Sequence, residues 1–391
     1  MKYKIPVLTL ILLFILLPGF SQNRSITFVE KPWSEILAQA KAQNKMIFLD
    51  AYTTWCGPCK WMAANMFTKD TIADYYNASF ICAHFDMEKG EGIKLAQTYQ
   101  VKAYPTLLFI NQAGEMVHKR VGTPQKIQDY LDMGNIALIP GEGFNDYMKR
   151  FQEGNRDPKF IMNYIDRLQG ANMPVNEPLQ QYFASQKESD LLSRTNWEMI
   201  FKYVTDTESN VFNYFFTHRK EYSKRYSIDS VDLKIINTFA QFLISQARTR
   251  SFTEANYTQL KQKIRDTGYE GAEKILFLSD ISIYPGEKFF ETTYADLEKY
   301  YANDYSMLAN IASFYLKNTE DKRYLEKAAS WAKMSIDLKS GTVNNDIYAN
   351  LMFKLGNKPE AIKYEQTAIE LAIKENAPTK EYEDNLKKFM E

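Results

Sequence analysis

Between residues 30 and 137 the apolar positions alternate between two rhythms. Pro32-Trp33-Ser34 opens a stretch in which Ile36, Leu37 and Ala40 recur at helical spacing. Met46–Tyr52 is a short apolar run that predicts a buried strand, and Phe80–Asp86 predicts a second. Between them a helix is expected from Cys56 towards Tyr75-Tyr76, and after them another around Ile93, Leu95, Ala96 and Tyr99. Thr106–Ile110 and Met116–Val121 form a hairpin pattern across Asn111-Gln112-Ala113-Gly114, whose composition favours a turn. Ile127, Tyr130 and Leu131 lie on a last helix of this segment.

Ile139-Pro140-Gly141-Glu142-Gly143 then punctuates the chain, and the pattern becomes helical almost throughout. Phe144, Tyr147 and Phe151 face Phe160, Ile161, Tyr164, Ile165 and Leu168 across Gly154–Pro158, the spacing of a helical hairpin. Further helices are expected over Trp197–Tyr203, Val211–Tyr222 and Leu233–Ala247. Near the C-terminus Ala328-Ala329-x-Trp331 recurs as Ala361-Ile362-x-Tyr364, and Ile336-Asp337-Leu338 as Ile369-Glu370-Leu371. A repeat of this period marks stacked helical hairpins. With small residues where helices touch and Gly356 at a turn, it resembles the tetratricopeptide pattern, most clearly over 306–376. Two clear units are few for a solenoid, so the helices upstream are expected to complete the stack.

Composition changes this picture little. The 391 residues are 45% hydrophobic and 25% charged, ordinary for globular protein, and the formal net charge is zero, so no basic field favours nucleic acid. The 26 Tyr and 25 Phe fall mostly in the later two-thirds. At helical spacing they read first as packing between helices, with a sugar- or peptide-binding surface as the other reading. Residues 1–21 read as a cleavable signal peptide: Lys2 and Lys4, an apolar core from Val7 to Leu17, then Pro18-Gly19-Phe20-Ser21. Periplasmic location is expected, with no stable membrane insertion after cleavage. The resulting division is 1–21 signal peptide, 22–138 α/β domain and 144–391 all-helical domain.

An exported chain with three cysteines is not a disulfide-stapled scaffold. Two of them stand in Trp55-Cys56-Gly57-Pro58-Cys59-Lys60, between a predicted strand and a predicted helix. The free N–H groups and dipole of a helix N-terminus favour a thiolate there. A Cys-x-x-Cys is also half of a zinc site, but His84, His118 and His218 are scattered and no second pair sits at ligand spacing, so no metal is expected. Neither a P-loop, a dinucleotide fingerprint nor a haem motif is found.

The motif in this setting resembles the active site of the thioredoxin superfamily, over roughly residues 28–137. The resemblance implies an α/β thioredoxin-like fold, a central mixed sheet flanked by helices, followed here by the all-α helical-hairpin region. It implies that Cys56 is the nucleophile, that Cys59 resolves the mixed disulfide, and that no cofactor beyond this redox-active pair is needed. Trp55, Gly57, Pro58 and Lys60 complete the motif. Gly-Pro is the thioredoxin dipeptide, and the thioredoxin pair sits near about −270 mV against about −180 mV for disulfide isomerase, which favours a reductant. Asp50, six residues before Cys56, matches the buried acid that exchanges a proton with the resolving cysteine; a merely solvated strand-end carboxylate is the alternative. Tyr104-Pro105-Thr106 looks like the cis-proline loop that pairs with extended substrate. Gly122 matches the glycine at close approach beside it.

Three positions depart from the family pattern. Tyr104 replaces a small or β-branched residue. His84 stands about where a lysine lies near the buried acid, and either tunes Asp50 or is a satisfied core histidine. Ala64 stands where a helix-kinking proline is common, so a straighter helix is expected. The helix opening at Trp33 and the sequence Val101–Pro105 look more like exported domains of the disulfide-interchange type than like cytosolic thioredoxin. Cys82 reads as a buried small hydrophobe, with a regulatory thiol as the alternative. The function expected is an exported thiol–disulfide oxidoreductase, a reductant or an isomerase, acting on protein clients and recharged by a membrane electron donor. The rival is a helical adaptor with an accessory redox domain. A dedicated reductant for cytochrome maturation is weaker, because no acidic insertion lies near the motif.

Overall fold

The computed structural model describes residues 24–391, so the signal-peptide segment 1–21 lies outside the described residues. The chain forms two compact units that divide after Val204. The first contains helix α1 (Trp33–Gln43), strand β1 (Met46–Tyr52), helices α2 (Gly57–Asn65) and α3 (Asp70–Ser79), strand β2 (Phe80–Asp86), helix α4 (Glu91–Thr98), strands β3 (Thr106–Ile110) and β4 (Met116–Val121), and helix α5 (Ile127–Leu138). It continues with α6 (Phe144–Gln152), α7 (Pro158–Gly170), α8 (Asn176–Ala184) and α9 (Arg194–Tyr203).

The four strands lie in the order β2-β1-β3-β4. β1 runs parallel to β2 and antiparallel to β3, and β3 is antiparallel to β4. The sheet is therefore mixed, as expected. β1 is apolar on both faces because it is covered on both. Phe48, Cys82, Leu107 and Phe109 meet Tyr76 of α3 and Tyr130 and Met133 of α5 on one side. Ile47, Leu49, Ala83 and Leu108 meet Ile36 and Ala40 of α1 and Leu95 of α4 on the other. Each fully buried large side chain here contributes about 1.5–3 kcal/mol relative to exposure.

The helix expected to run from Cys56 towards Tyr76 is instead two. The Asn65 amide donates to the Trp61 carbonyl, and the Thr68 hydroxyl to that of Ala64. With these end carbonyls satisfied, the backbone turns and drives Phe67 into the core against Phe48 at 6.0 Å. Ala64 therefore sits at a helix end, and the expectation of a straighter through-going helix does not apply. The same device splits the helix expected over Val211–Tyr222. Thr217 Oγ1 donates to the Asn213 carbonyl, and the chain leaves helical geometry at His218.

Ile139–Gly143 does mark the end of the α/β pattern, but the compact unit does not stop there. Gly143 lies against β4 so closely that a Cβ would fall 2.7 Å from Val117 Cγ1 and 2.8 Å from its carbonyl oxygen. The Asn145 amide donates to the Met116 carbonyl, and Arg167 of α7 binds Glu142 at 2.8 Å. Helices α6–α9 thus belong to the unit that carries the sheet.

The second unit is helical: α10 (Asn210–Thr217), α11 (Arg219–Arg225), α12 (Ile228–Ala247), α13 (Glu254–Asp266), α14 (Ala272–Ile283), α15 (Glu287–Tyr301), α16 (Tyr305–Asn318), α17 (Lys322–Leu338), α18 (Thr342–Lys354), α19 (Lys358–Lys374) and α20 (Lys380–Met390). Ala328, Ala332, Ala349 and Ala361 are fully buried in one core with Trp331, Tyr315 and Phe290. Among the described residues no strand follows Val121, and no helix is long and apolar enough to cross a membrane.

Candidate active site

The Cys-x-x-Cys motif folds as its residue types require. Cys56 is the N-cap of α2, with Gly57 and Pro58 as the first helical residues. Proline is tolerated there because its missing N–H has no intrahelical partner to lose. The Cys56 N–H donates to the Thr53 carbonyl at 3.2 Å, which holds the turn that leaves β1. Cys56 and Cys59 are joined as a disulfide, with Cα atoms 5.3 Å apart. The Cys59 N–H points at Cys56 Sγ, 3.1 Å away. When the bond is reduced, this N–H and the positive end of α2 bear on the sulfur of Cys56 and favour its thiolate. Both sulfurs belong to residues under 5% exposed, whereas Trp55 beside them is 65% exposed.

The Tyr104–Pro105 peptide is cis. Pro105 gives its carbonyl to the Gly122 N–H at 2.9 Å, and the Thr106 hydroxyl donates to the Ala103 carbonyl. Gly122 has φ of 91°, the left-handed region that suits glycine. The Tyr104 ring meets Trp55 edge-on, with centroids 5.9 Å apart. Trp55, Tyr104, Pro105 and Gly122 are thereby gathered into one rim next to the disulfide-bearing turn. Lys60 joins it only through its backbone, whose N–H donates to the Cys56 carbonyl.

Asp50 is 5% exposed on β1, in register with Leu107 on one side and His84 on the other. Its Oδ1 is buried without a hydrogen-bond partner. Burial alone pushes its carboxyl up to about 7, so it holds or releases a proton near neutrality. A solvated strand-end carboxylate does not fit this placement. His84 shares the register position of Asp50, but its ring stacks on Phe28 at 4.7 Å. Burial lowers its pKa and Glu30 partly offsets this. Cys82 is free and buried, with Sγ 3.6 Å from the Tyr76 carbonyl, and burial pushes its thiol up to about 12.

Two residues of this site were not read from the sequence. Glu88 accepts a hydrogen bond from the Trp55 indole N–H at 2.9 Å and fixes that exposed ring. The only local signal is an acid two residues beyond β2. Thr53 is 1% exposed with no partner for its hydroxyl, at the turn into the motif. Among the described residues no group of three or more His, Cys, Asp or Glu is placed to hold a metal ion.

A family model described as thioredoxin matches residues 24–133. Thioredoxin H4 of Arabidopsis thaliana is 37% identical over 90 residues, which are 23% of this chain and 71% of that protein. Thioredoxin-1 of Drosophila melanogaster is 38% identical over 71 residues, 18% of this chain and 62% of that protein, so the chain spans less than two thirds of the length of that relative. Among solved structures, a candidate disulphide-isomerase from Bacteroides thetaiotaomicron is 41% identical. That match covers 31% of this chain and 98% of that one, with a TM-score of 0.29.

Proposed function

The chain belongs to the thioredoxin family, and from that premise we propose that it is an exported thiol–disulfide oxidoreductase that reduces protein disulfides through Cys56 and Cys59. The observation that carries this reading is the sulfur of Cys56 at the cap of α2 with the Cys59 N–H upon it. In the reduced protein the Cys56 thiolate attacks a client disulfide, and one client sulfur leaves as a thiolate that takes up a proton. Cys59 loses its proton, attacks Cys56 Sγ and expels the second client sulfur, so two electrons pass to the client and the Cys56–Cys59 bond forms. Asp50, poised near neutrality, is suited to accept the Cys59 proton. The rim of Tyr104, the cis Pro105 and Gly122 is suited to an extended client segment.

The client is a protein disulfide, as for thioredoxins generally, and no bound cofactor enters the reaction. Reducing equivalents are supplied by a membrane dithiol donor, and the protein works in the periplasm. The helical unit is tetratricopeptide-like, and the small buried residues Ala328 and Ala361 at equivalent repeat positions support that reading. It holds clients, which raises their local concentration at Cys56 through the shared chain.

The test is the redox equilibrium of Cys56–Cys59 in the purified chain against glutathione or dithiothreitol. A potential near or below about −250 mV supports a reductant. One above about −190 mV reverses the direction of electron flow and makes the protein an oxidant or isomerase. Client binding that is indifferent to Cys56→Ser, together with no measurable exchange, would favour the adaptor reading.

A further inference from the structure

Away from the disulfide, the outer strand of the sheet and helices α5 and α7 line a half-open cavity of about 210 Å³. His118 and Arg120, two residues apart on β4, share the face covered by α5 and line this cavity with Arg167 of α7. His118 is 4% exposed and its Nδ1 has no hydrogen-bond partner. Leaving such a buried group unsatisfied is costly. Arg120 has no ion-pair or hydrogen-bond partner among the described residues. Its guanidinium lies along α7 at Gly170, where a Cβ would fall 3.0 Å from Nη1. A methyl group at residue 170 would push this guanidinium aside by a few tenths of an ångström.

Arg167 supplies a second, oriented positive charge. Its guanidinium donates to the Glu142 carbonyl at 2.9 Å and to the Glu142 carboxylate at 2.8 Å, and sits 3.8 Å from the centre of the Tyr147 ring. Three carboxylates also line the cavity, Asp129, Asp132 and Asp166, and the last two accept hydrogen bonds from other groups. Asp166 accepts from Lys202 and the Tyr203 hydroxyl, and Asp132 from the Gln128 amide. The charges that act on the His118 ring are those of Arg167 and Arg120. With burial as the larger cause, they hold it far below the usual histidine range, at about 3. The ring is therefore neutral at physiological pH, and the two guanidiniums that act on it oppose a cation at His118 and favour an anion.

We propose that the cavity between β4 and α7 binds a small oxyanion, a phosphate or carboxylate group, through the Arg120 guanidinium and His118 Nδ1–H, with Arg167 beside them. Binding selects the Nδ1–H tautomer of the neutral imidazole, so that this buried and unpartnered nitrogen becomes a donor to the anion. Arg120 supplies the charge-assisted bonds. The site is separate from Cys56 and Cys59 and does not depend on their chemistry.

The test uses the full chain labelled with ¹⁵N-histidine, which gives signals from three histidines only. Inorganic phosphate and acetate are titrated separately, each against sodium chloride at matched ionic strength. The expected result is that one or both oxyanions move the His118 Nδ1 signal from an unprotonated towards a protonated shift, while His84 and His218 stay in place. A response to phosphate alone marks a phosphate site, and a response to acetate alone a carboxylate site. Arg120→Gln weakens the binding about tenfold or more, with disulfide exchange unchanged. Gly170→Ala, which crowds Arg120, weakens it as well and serves if the first variant does not fold. A His118 signal that moves with neither oxyanion, or equally with chloride, overturns the proposal, as does undiminished affinity in both variants.

Discussion

Asp50 and Glu365 are both carboxyl groups taken out of water, one in each unit, and their surroundings differ. Asp50 stands on the central strand among hydrocarbon, with no hydrogen bond to Oδ1, and burial alone raises its pKa. Glu365 of α19 is fully buried beside Asp346 of α18, and each is raised by burial; the charge of Asp346 further raises Glu365. The Asp346 carboxylate in turn accepts from Asn350 and from Asn385 of α20. An isolated buried carboxyl titrates as a single site and can trade its proton with a neighbour. Two carboxyls on neighbouring helices titrate together instead: neither Glu365 oxygen has a hydrogen-bond partner, and it is Asp346 that fastens the terminal helix by way of Asn385. Similar desolvation thus produces a candidate proton carrier on the strand that leads to the redox motif and a coupled carboxyl pair in a helical stack.

The largest effect expected separates the units by chemistry. Cys56→Ser abolishes disulfide exchange in an insulin-reduction assay, while the helical content measured by circular dichroism stays unchanged. Loss of the second unit's fold in this variant would break the comparison.

Trp331→Ala tests the separation from the other side. Trp331 is fully buried and donates to Glu298 at 2.9 Å. Its removal costs about 3–5 kcal/mol in urea unfolding. The thiol-exchange rate with a small disulfide should stay near wild type, because the reacting sulfurs lie in the first unit.

Asp50→Asn comes next, at about 2–4 kcal/mol. The folded pKa lies above the unfolded one, so wild-type stability falls as pH rises from about 4 to about 7, and the loss persists above that. The variant lacks this loss and unfolds at higher denaturant than wild type at pH 8, with little difference at pH 4. It also slows the step in which Cys59 resolves the mixed disulfide. A variant that is less stable than wild type at pH 8 would show that Asp50 is not desolvated as described.

Glu365→Gln is the smallest, a gain of about 1–3 kcal/mol at alkaline pH. The sign is the same, since the folded pKa is again raised. Exchange kinetics at Cys56 should not change. Equal pH dependence of exchange in the Asp50 and Glu365 variants would erase the difference between the two carboxyl sites.

Much of the first unit is legible in local pattern. The four strands fall where apolar runs and turn residues place them, because each strand's side-chain rhythm is set by its own two faces. The disulfide and the cis Tyr104–Pro105 bond are likewise carried by contiguous motifs. The break after Asn65 is not, since it depends on Thr68 and Asn65 taking up carbonyls and on Phe67 reaching a core built from distant strands. The return of α6 and α7 onto β4 is hidden for the same reason. Arg167 reaches Glu142 from 25 residues away, and Gly170 makes room for Arg120 across 50 positions of sequence. Glu88 is another such case, an ordinary surface acid until the fold sets it under the Trp55 indole.

Cys82 makes the fold its own witness. With Cys56 and Cys59 bonded to each other, it holds the only thiol in the chain, and that thiol is sealed between the strands and Tyr76 at a pKa pushed to about 12. To a thiol-seeking dye the oxidised native molecule is silent. The first fluorescence it gives announces that the sheet has come apart, so each molecule carries a seal whose breaking dates its own unfolding.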